Sequence, residues 1–593
     1  MLNVSAAWQA ESIAQFRYPA YLKCTIQVTP PGIEEGAAVT NSDTFSKSNV
    51  SVVVDGHDAS PQPFATLEHN RWVLSGIFDL MEDDTETTDW WSEDSSETTL
   101  QFVFDSIYTI PGIYIEWDLV NETFPSKVVF IGYDSNHQAV STVTVTDISS
   151  ASGYIAMPME NIKYLDVTIE SWSLPSWKFR MNSIVFGFSA SLDSINNGRI
   201  NSATTTDTSS LLSAELPKHA ISITLRNHDL YLDPTRHQGL ARYLTAKQVA
   251  KVKWGFTTSP GNIEWSDSLV YLVDSIEIPS ESREAVISFS SRLDLLTDTF
   301  TEGNYTGSDR TFKDLAEYVL QHSGILKTKS TEVPWIIPSV LEEYVTNAPI
   351  PAQSINSILQ LVAGATATML TTYATNGFVQ FKVPSNSPTD LTPITEKQAL
   401  GDPKVELAQP LKSITVGLYS YTPETTQTDI GTFQAVLNGT QTLRVQYNVA
   451  FAQNVAATIT GGTLVSATYY ASYAVLVITG TGAEITITLK GYEIKQNVTY
   501  IQTFSDANVV NGLNVQVDNP LITNKTVLDL VSEAAKSYYR LRDKYQISYL
   551  GYPQLEVGDC IKLSSIYEQD ASVVVEQNNL TFNGGWNGTV KVV

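Results

Sequence analysis

Residues Asn519–Leu563 read NPLITNKTVLDLVSEAAKSYYRLRDKYQISYLGYPQLEVGDCIKL. Thr526 followed three residues on by Asp529 is a capping signal, and Val527, Val531, Ala534, Tyr538 and Leu541 recur at spacings of three and four. The spacing predicts one amphipathic helix of about four turns. Tyr545 to Tyr549 then alternates as a strand, Gly551-Tyr552-Pro553 makes a turn, and Leu555-Glu556-Val557-Gly558-Asp559 leads into a second strand over Cys560 to Leu563. Read alone, the stretch is a β-rich domain with one packed helix.

Working outward, 593 residues exceed what one core supports, and at roughly 150 residues per domain the chain holds about four. A hydrophobic fraction of 42% suffices for globular folding. With 36 Lys and Arg against 63 Asp and Glu, a formal charge of −27 argues against a general nucleic-acid binder and against attraction to an anionic membrane surface. Cys24 and Cys560 are too few for a disulfide framework or a cysteine metal site and read as buried small hydrophobes. The opening MLNVSAAWQAESIAQFRYPA lacks the basic and apolar segments of a secretory signal, and no apolar run approaches the roughly 20 residues of a membrane helix. These features suggest a protein made in a cytoplasm that leaves it, if at all, by assembly into a particle.

Along the chain, YLKCTIQV and NVSVVVDG alternate as strands, and Asp79 to Glu97 holds nine carboxylates, a solvated loop by its charge. From Thr98 to Gly187 six alternating segments, TTLQFVFDSIY, GIYIEWDL, KVVFIGYD, STVTVTDI, KYLDVTIESW and RMNSIVFGF, predict a β-sandwich. After a Ser/Thr/Asn-rich link, Ile221, Ile223 and Leu225 alternate into Asn227, and Val249, Val252 and Trp254 belong to a strand ending at Gly255. Thr311 and Asp314 cap a helix with Phe312, Leu315, Ala316, Val319 and Leu320 inward and Gly324 at its end. A second helix runs from about Ser354 to Ala365, and Asn376-Gly377 turns a hairpin between TMLTTYA and FVQFKV. Residues 430–490 are Thr-rich strands nearly free of charge, and TFNGGWNGTVKV is a last Gly-broken strand.

Two resemblances follow from these segments. Asn519-Pro520-Leu521, the Tyr538-Tyr539 helix and Pro553-x-Leu555-Glu556-x-Gly558-Asp559 resemble the second tube domain of baseplate hub and tail-tip proteins of long-tailed phages and phage-tail-like bacteriocins. The strand closing on Asn227, the Asp233-Pro234 loop and the strand ending at Gly255 are similar to that family's first tube domain, and the helices and hairpin to the domain between. Leu67-Glu68-x-Asn70-x-Trp72-x-Leu74-x-Gly76, Phe124-Pro125 and Ser171-Trp172-Ser173-Leu174-Pro175 with Arg180, Ile184 and Phe186-Gly187 resemble the discoidin-like, or galactose-binding-like, jelly roll. The implied architecture is mainly β and multidomain, α+β overall: residues 1–65 with 189–305 as a first tube-like β-barrel domain, 66–188 as an inserted jelly-roll sandwich, 306–395 as an α+β domain, and 396–593 as a second tube-like domain with a β-rich insertion at about 430–490.

The resemblance implies a homotrimer with a pseudo-sixfold ring at the tail tip or baseplate of a virion, structural and not enzymatic. It implies contacts with the tail tube or distal tail ring, the tape-measure protein, and tip or receptor-binding proteins. No catalytic or cofactor residues emerge: the seven histidines, at 57, 69, 137, 219, 228, 237 and 322, show no zinc spacing, and there is no G-x-S-x-G, phosphate loop or G-x-G-x-x-G. His228 and His237, flanking Asp229 and Asp233, fit a polar loop better than a metal site. Six of the eleven tryptophans lie in or beside the sandwich; Trp72, Trp117 and Trp172 fit its core. Trp90, Trp91 and Trp177, on acidic or Pro-containing loops, are the candidates for a host cell-surface saccharide. The rival readings are a secreted carbohydrate-binding adhesin or glycan-active enzyme with a discoidin module, and a tail-associated peptidoglycan lysin. The first two lack a signal and a catalytic constellation; for the third no stretch is left over.

Overall fold

A computed structural model describes residues 4–30, 33, 37–39, 46–49, 63–65, 72–74, 88–91, 99–117, 124–146, 148–173, 180–181, 183–196, 198–212, 215–230, 232, 240–259, 262–278, 283–300, 303, 307–325, 333–384, 389–567 and 569–593. The protein is mainly β, in several sheets. Among the described residues the largest has 14 strands. From one edge it runs Phe188–Asp193, Ala20–Val28, Val249–Ser259, Leu269–Glu277, Glu284–Ser290, Lys218–Arg226 and Ile200–Thr208. It continues through Ala571–Phe582, Trp586–Val592, Asp543–Tyr549 and Lys404–Leu407. Asn262–Trp265 branches off Val249–Ser259, and Thr389–Ile394 reaches the sheet through Cys560–Leu563.

The middle of this sheet joins strands far apart in sequence. Ala203 faces Phe582, Thr204 faces Thr581 and Thr208 faces Gln577. Between these pairs the Thr205 hydroxyl accepts from Leu580 N at 2.9 Å, and just past them Ser209 N donates to Glu576 O at 3.0 Å, so side chain and backbone together satisfy groups the ladder leaves open. One hydrophobic core spans both halves, with Trp254 edge-on to Trp586 at 4.8 Å.

A helix the sequence reading did not anticipate staples these halves. Ser5 caps Ala6–Ile13 by accepting from Trp8 N at 3.1 Å. Trp8 is buried edge-on to Phe256 at 4.9 Å, and its Nε1 donates to Gln554 Oε1 at 3.3 Å. Gln554 donates in turn to Ser12 Oγ at 2.8 Å, Gln398 Nε2 to Ile13 O at 2.9 Å, and Arg17 to the carbonyls of Leu550 and Gly551.

The opening stretch divides between two cores. Its helix, Lys525–Arg540, is capped by Asn524, whose Oδ1 accepts from Val527 N at 3.0 Å, and not by Thr526. Leu528 and Ala535 are buried with Val527 and Val531, while Leu541 is exposed, because the helix ends at Arg540 and Leu541 is its extended C-cap. This helix packs on the sheet of Leu411–Pro423, Tyr473–Ser505 and Leu513–Val517, in a second core that includes helices Phe312–Gln321 and Ile355–Ala365. The stretch's two strands, Asp543–Tyr549 and Cys560–Leu563, belong to the large sheet. Thr311 caps Phe312–Gln321 as its sequence indicates, and Gly377, at φ +65°, turns the hairpin of Met369–Tyr373 and Phe378–Lys382.

In the sandwich, a five-stranded sheet runs Ala139–Val145, Pro125–Tyr133, Met159–Trp172, Thr99–Ile110 and Ala37–Val39. It shares a core with a three-stranded sheet of Ser152–Ile155, Ile113–Glu116 and Ser183–Val185. Phe102, Phe104 and Phe186 meet edge to face there, at 5.3 and 5.1 Å. Ile33 and Ala37–Val39, which the sequence reading grouped with the first tube-like domain, lie in this core and sheet. Phe188 pairs with Val28, so the chain leaves and re-enters the large sheet at adjacent points. The segment NVSVVVDG, apart from Asn49, lies outside the described residues.

Residues 428–491 form a bent sheet closed on its own core. Tyr473–Ser505 runs centrally between Thr428–Gln446 on one side and Ala452–Thr460 and Gly462–Tyr469 on the other. The bend falls at glycines: Gly439, Gly461 and Gly482 have positive φ, and at Gly480 a Cβ would stand 2.5 Å from Leu437 O. The terminal TFNGGWNGTVKV is a hairpin, Phe582 pairing with Trp586, because Gly584 at φ +93° reverses the chain.

Replacing Trp8 by Ala removes the indole from between the two halves and is expected to cost about 3–5 kcal/mol. Urea unfolding followed by tryptophan fluorescence and far-UV circular dichroism checks this, and an unchanged midpoint would show that the helix is not a staple.

Candidate functional site

Lys218–Arg226 alternates so that His219, Ile221, Ile223 and Leu225 all point into the core. A histidine in that series needs partners, and three chain segments supply them. His219 Nδ1 pairs with Asp207, its register partner on Ile200–Thr208. Nε2 meets Thr371 Oγ1 on the hairpin at 3.3 Å, and the backbone N donates to Asp294 Oδ2 at 3.1 Å. Asp294 is fixed further by Ser291, through N at 3.1 Å and Oγ at 2.9 Å. Across a cavity of about 60 Å³, Lys382 on the hairpin donates to Val557 O at 2.8 Å and Asp559 Oδ1 at 2.9 Å. Its Nζ lies 4.0 Å from Glu556 Oε2. Gly558, at φ +81° under the Lys382 stem, is the glycine of the L-E-V-G-D segment, and any side chain there would be strained and crowded.

Burial alone would lower the His219 pKa, but the charge and hydrogen bond of Asp207, then Asp294 and Glu556, hold it above its ordinary value. Burial pushes Asp294 up against the pull of His219 and Ser291, and burial followed by Asp207, Asp294 and Glu556 pushes Tyr271 up. The cavity has room for a few waters at about 10–15 Å³ each, far below the roughly 300 Å³ where ligand sites begin. Its chemistry is therefore that of a proton-holding joint between segments. The sequence reading set His219 aside with the other histidines; its inward position in the alternating HAISITL was the available signal.

Of the saccharide candidates, Trp90 and Trp91 lie on Thr88–Trp91, the middle strand of a three-stranded sheet, and not on a loop. Trp91 faces Ser46 and Arg180 in the register; Trp90 faces Lys47 and Met181. A Trp pair favours extended backbone, which outweighed the acidic flanks. Trp177, and the side chains of Trp72, Trp90 and Trp91, lie outside the described residues, as do His57, His69, Asp233 and His237 and most of the acidic run. Trp117 is buried edge-on to the partly buried Trp172 at 6.2 Å, as core tryptophans. Asp229 takes Arg199 through two contacts, at 3.0 and 2.6 Å, in keeping with a polar loop. Among the described residues no group of three or more His, Cys, Asp or Glu could hold a metal ion. Both cysteines are buried, and burial pushes the Cys24 thiol up to about 12, which keeps it an inert apolar group.

Because folding raises the His219 pKa, its contribution to stability is full below the ordinary value near 6.5 and is lost as pH rises through the folded value. Asp294 acts with the same sign from a lower pH. Urea titrations across pH 6 to 9 are expected to show stability falling by about 1.4 kcal/mol per unit of elevation, a step absent from His219→Gln. Equal pH slopes in the two proteins would contradict this account.

No family model and no curated protein matches the chain. Among solved structures, the 43 kDa tail protein of prophage MuSo2 from Shewanella oneidensis is similar at 11% identity, over 66% of this chain and 94% of that one, with a TM-score of 0.36. A tail protein from Neisseria meningitidis MC58 is similar at 9% identity, over 68% and 93%, with a TM-score of 0.38. Prophage tail protein gp18 from Listeria monocytogenes EGD-e is similar at 9% identity, over 79% and 94%, with a TM-score of 0.33.

Proposed function

We propose that the chain is a structural hub or tail-tip subunit of a phage-tail-like particle. Two tube-like β domains, the α+β domain between them, the inserted sandwich and the β-rich insertion would be its parts, and it would work as a homotrimer. The observation that carries the reading is the pairing of Ile200–Thr208 with Ala571–Phe582. It sets the strands of the earlier and later parts of the chain side by side in one sheet, in keeping with a ring of alternating halves, and the two strands of the Asn519–Leu563 motif, Asp543–Tyr549 and Cys560–Leu563, lie in the later part. In the ring, the halves of successive copies would continue the sheet through its open edges. The tail tube or distal tail ring, the tape-measure protein and tip proteins are its neighbours on this reading, at the tail tip of the virion. The sandwich, carrying Trp90, Trp91 and Trp177, would face a host saccharide.

The edge strand Lys404–Leu407 offers a direct test. Ala408 N donates inward to Arg542 O, so by alternation the N–H groups of Val405 and Leu407 point to the open edge. Leu407 is 63% exposed there. Light scattering of the purified chain is expected to give three times the 65.2 kDa chain mass, with sixfold-like rings in electron micrographs. Leu407→Pro should shift the particle to monomer while leaving the monomer's unfolding free energy within about 0.5 kcal/mol, as for a neutral surface change. A wild-type chain that stays monomeric at high concentration would overturn the assignment. The saccharide arm is checked by titrating the full chain with host cell-wall polysaccharide: Trp90→Ala with Trp91→Ala should lose about tenfold or more in affinity, and wild-type binding unchanged by both would remove it.

A further inference from the structure

Alternation on Ala20–Val28 and Val249–Ser259 sends Leu22, Cys24, Val252 and Trp254 into the core and turns Lys23, Thr25, Lys251 and Lys253 to the outer face. The register sets Lys23 directly opposite Lys253 and Thr25 opposite Lys251. Like charges in directly opposed positions weaken a ladder, so the arrangement costs stability unless something outside the fold neutralises it. Among the described residues none of the three lysines has a carboxylate partner. Asp193, opposite Lys23 on its other flank, accepts from Ile195 N at 2.9 Å and Asn196 Nδ2 at 3.2 Å, holding the next turn. Three lysines thus share this face with one carboxylate, Asp193, whose oxygens are engaged by its own turn, in a chain of net charge −27.

The same face has an aromatic wall. Trp265, on the branch strand, lies with its six-membered ring over Gly255, where a Cβ would stand 3.0 Å from Cε3 and Cζ3. Trp265, the three lysines, Thr25, Asn196 and the turn-holding Asp193 line one cleft of about 330 Å³, inside the range of small-ligand sites, so three cations face one carboxylate there.

We propose that this cleft binds an acidic saccharide, with the ammonium groups taking a carboxylate or phosphate of the sugar and Trp265 packing on the apolar face of its ring. Thr25 and Asn196 are placed to meet hydroxyls. Three cations confined to one cleft neutralise one or two anionic groups, whereas a nucleic-acid backbone calls for a stripe of cations along its path. The proposal does not depend on the hub reading or on the sandwich.

The test is calorimetric titration of the full-length protein with oligogalacturonate, phosphorylated pentitol oligomer, neutral galacto-oligosaccharide and a single-stranded DNA of matched charge. At least one acidic sugar is expected to bind about tenfold or more tighter than the neutral one and the DNA, with affinity falling as salt rises. Lys251→Gln with Lys253→Gln should abolish that preference and, by relieving the opposed charges, leave the unfolding midpoint unchanged or raise it. Trp265→Ala should weaken binding while the salt dependence persists. Equal binding of neutral and acidic sugars, tighter binding of DNA, undiminished binding by the lysine double variant, or no binding of either acidic sugar would each overturn the proposal.

Discussion

A β-strand at the edge of a sheet exposes a row of N–H and C=O groups that must find partners or water. In this protein the edge formed by Ile200–Thr208 is closed by Ala571–Phe582, which arrives after more than half the chain has gone elsewhere. The remaining architecture follows from that closure. The chain between must return to the same edge, so the helices, the hairpin and the sheet around Leu411–Pro423 are gathered into a second core beside it. The N-terminal helix lies across residues of both halves, and the His219 cluster sits behind the joint, with Asp207 on one of the joined strands themselves.

The two lysine environments show how charge is treated on the two sides of the sheet. Lys382 reaches inward and spends its donors on Val557 and Asp559, where burial makes unpaired charge costly. Lys23, Lys251 and Lys253 point outward, where water solvates them and mutual repulsion persists without unfolding the strands. The first arrangement serves cohesion between segments; the second is a surface left unfinished by the chain.

Strands with strict alternation were legible: YLKCTIQV and KYLDVTIESW are strands as read, and the five inward residues of Phe312–Gln321 are the five buried ones. Turn chemistry was legible where φ is positive, as at Gly377. The misses have local causes. Asn524 took the cap from Thr526, since both are competent and only the preceding backbone decides. The first helix was hidden because Ala6–Ile13 is short and buries few residues, its role resting on Trp8 and on hydrogen bonds to Gln398 and Gln554 far away in sequence. The His219 cluster was invisible for the same reason: its members come from strands whose adjacency no spacing encodes. Trp90 and Trp91 were drawn to a loop by their acidic flanks, although the residues themselves favour extended backbone.

The strand Tyr473–Ser505 carries 33 residues without interruption, from the core of the bent sheet into the sheet that supports helix Lys525–Arg540. Past its glycine bend it extends, at roughly 3.3 Å per residue, on the order of 70 Å. No loop separates the two cores along this path, and Leu411–Pro423 brackets its far half with a ladder running from Ser505 to Ile494. A pull on the outer sheet would therefore load those hydrogen bonds in shear, many at once, and not peel them singly. Displacement at the outer end would thus be passed along one continuous strand to the helix-bearing core.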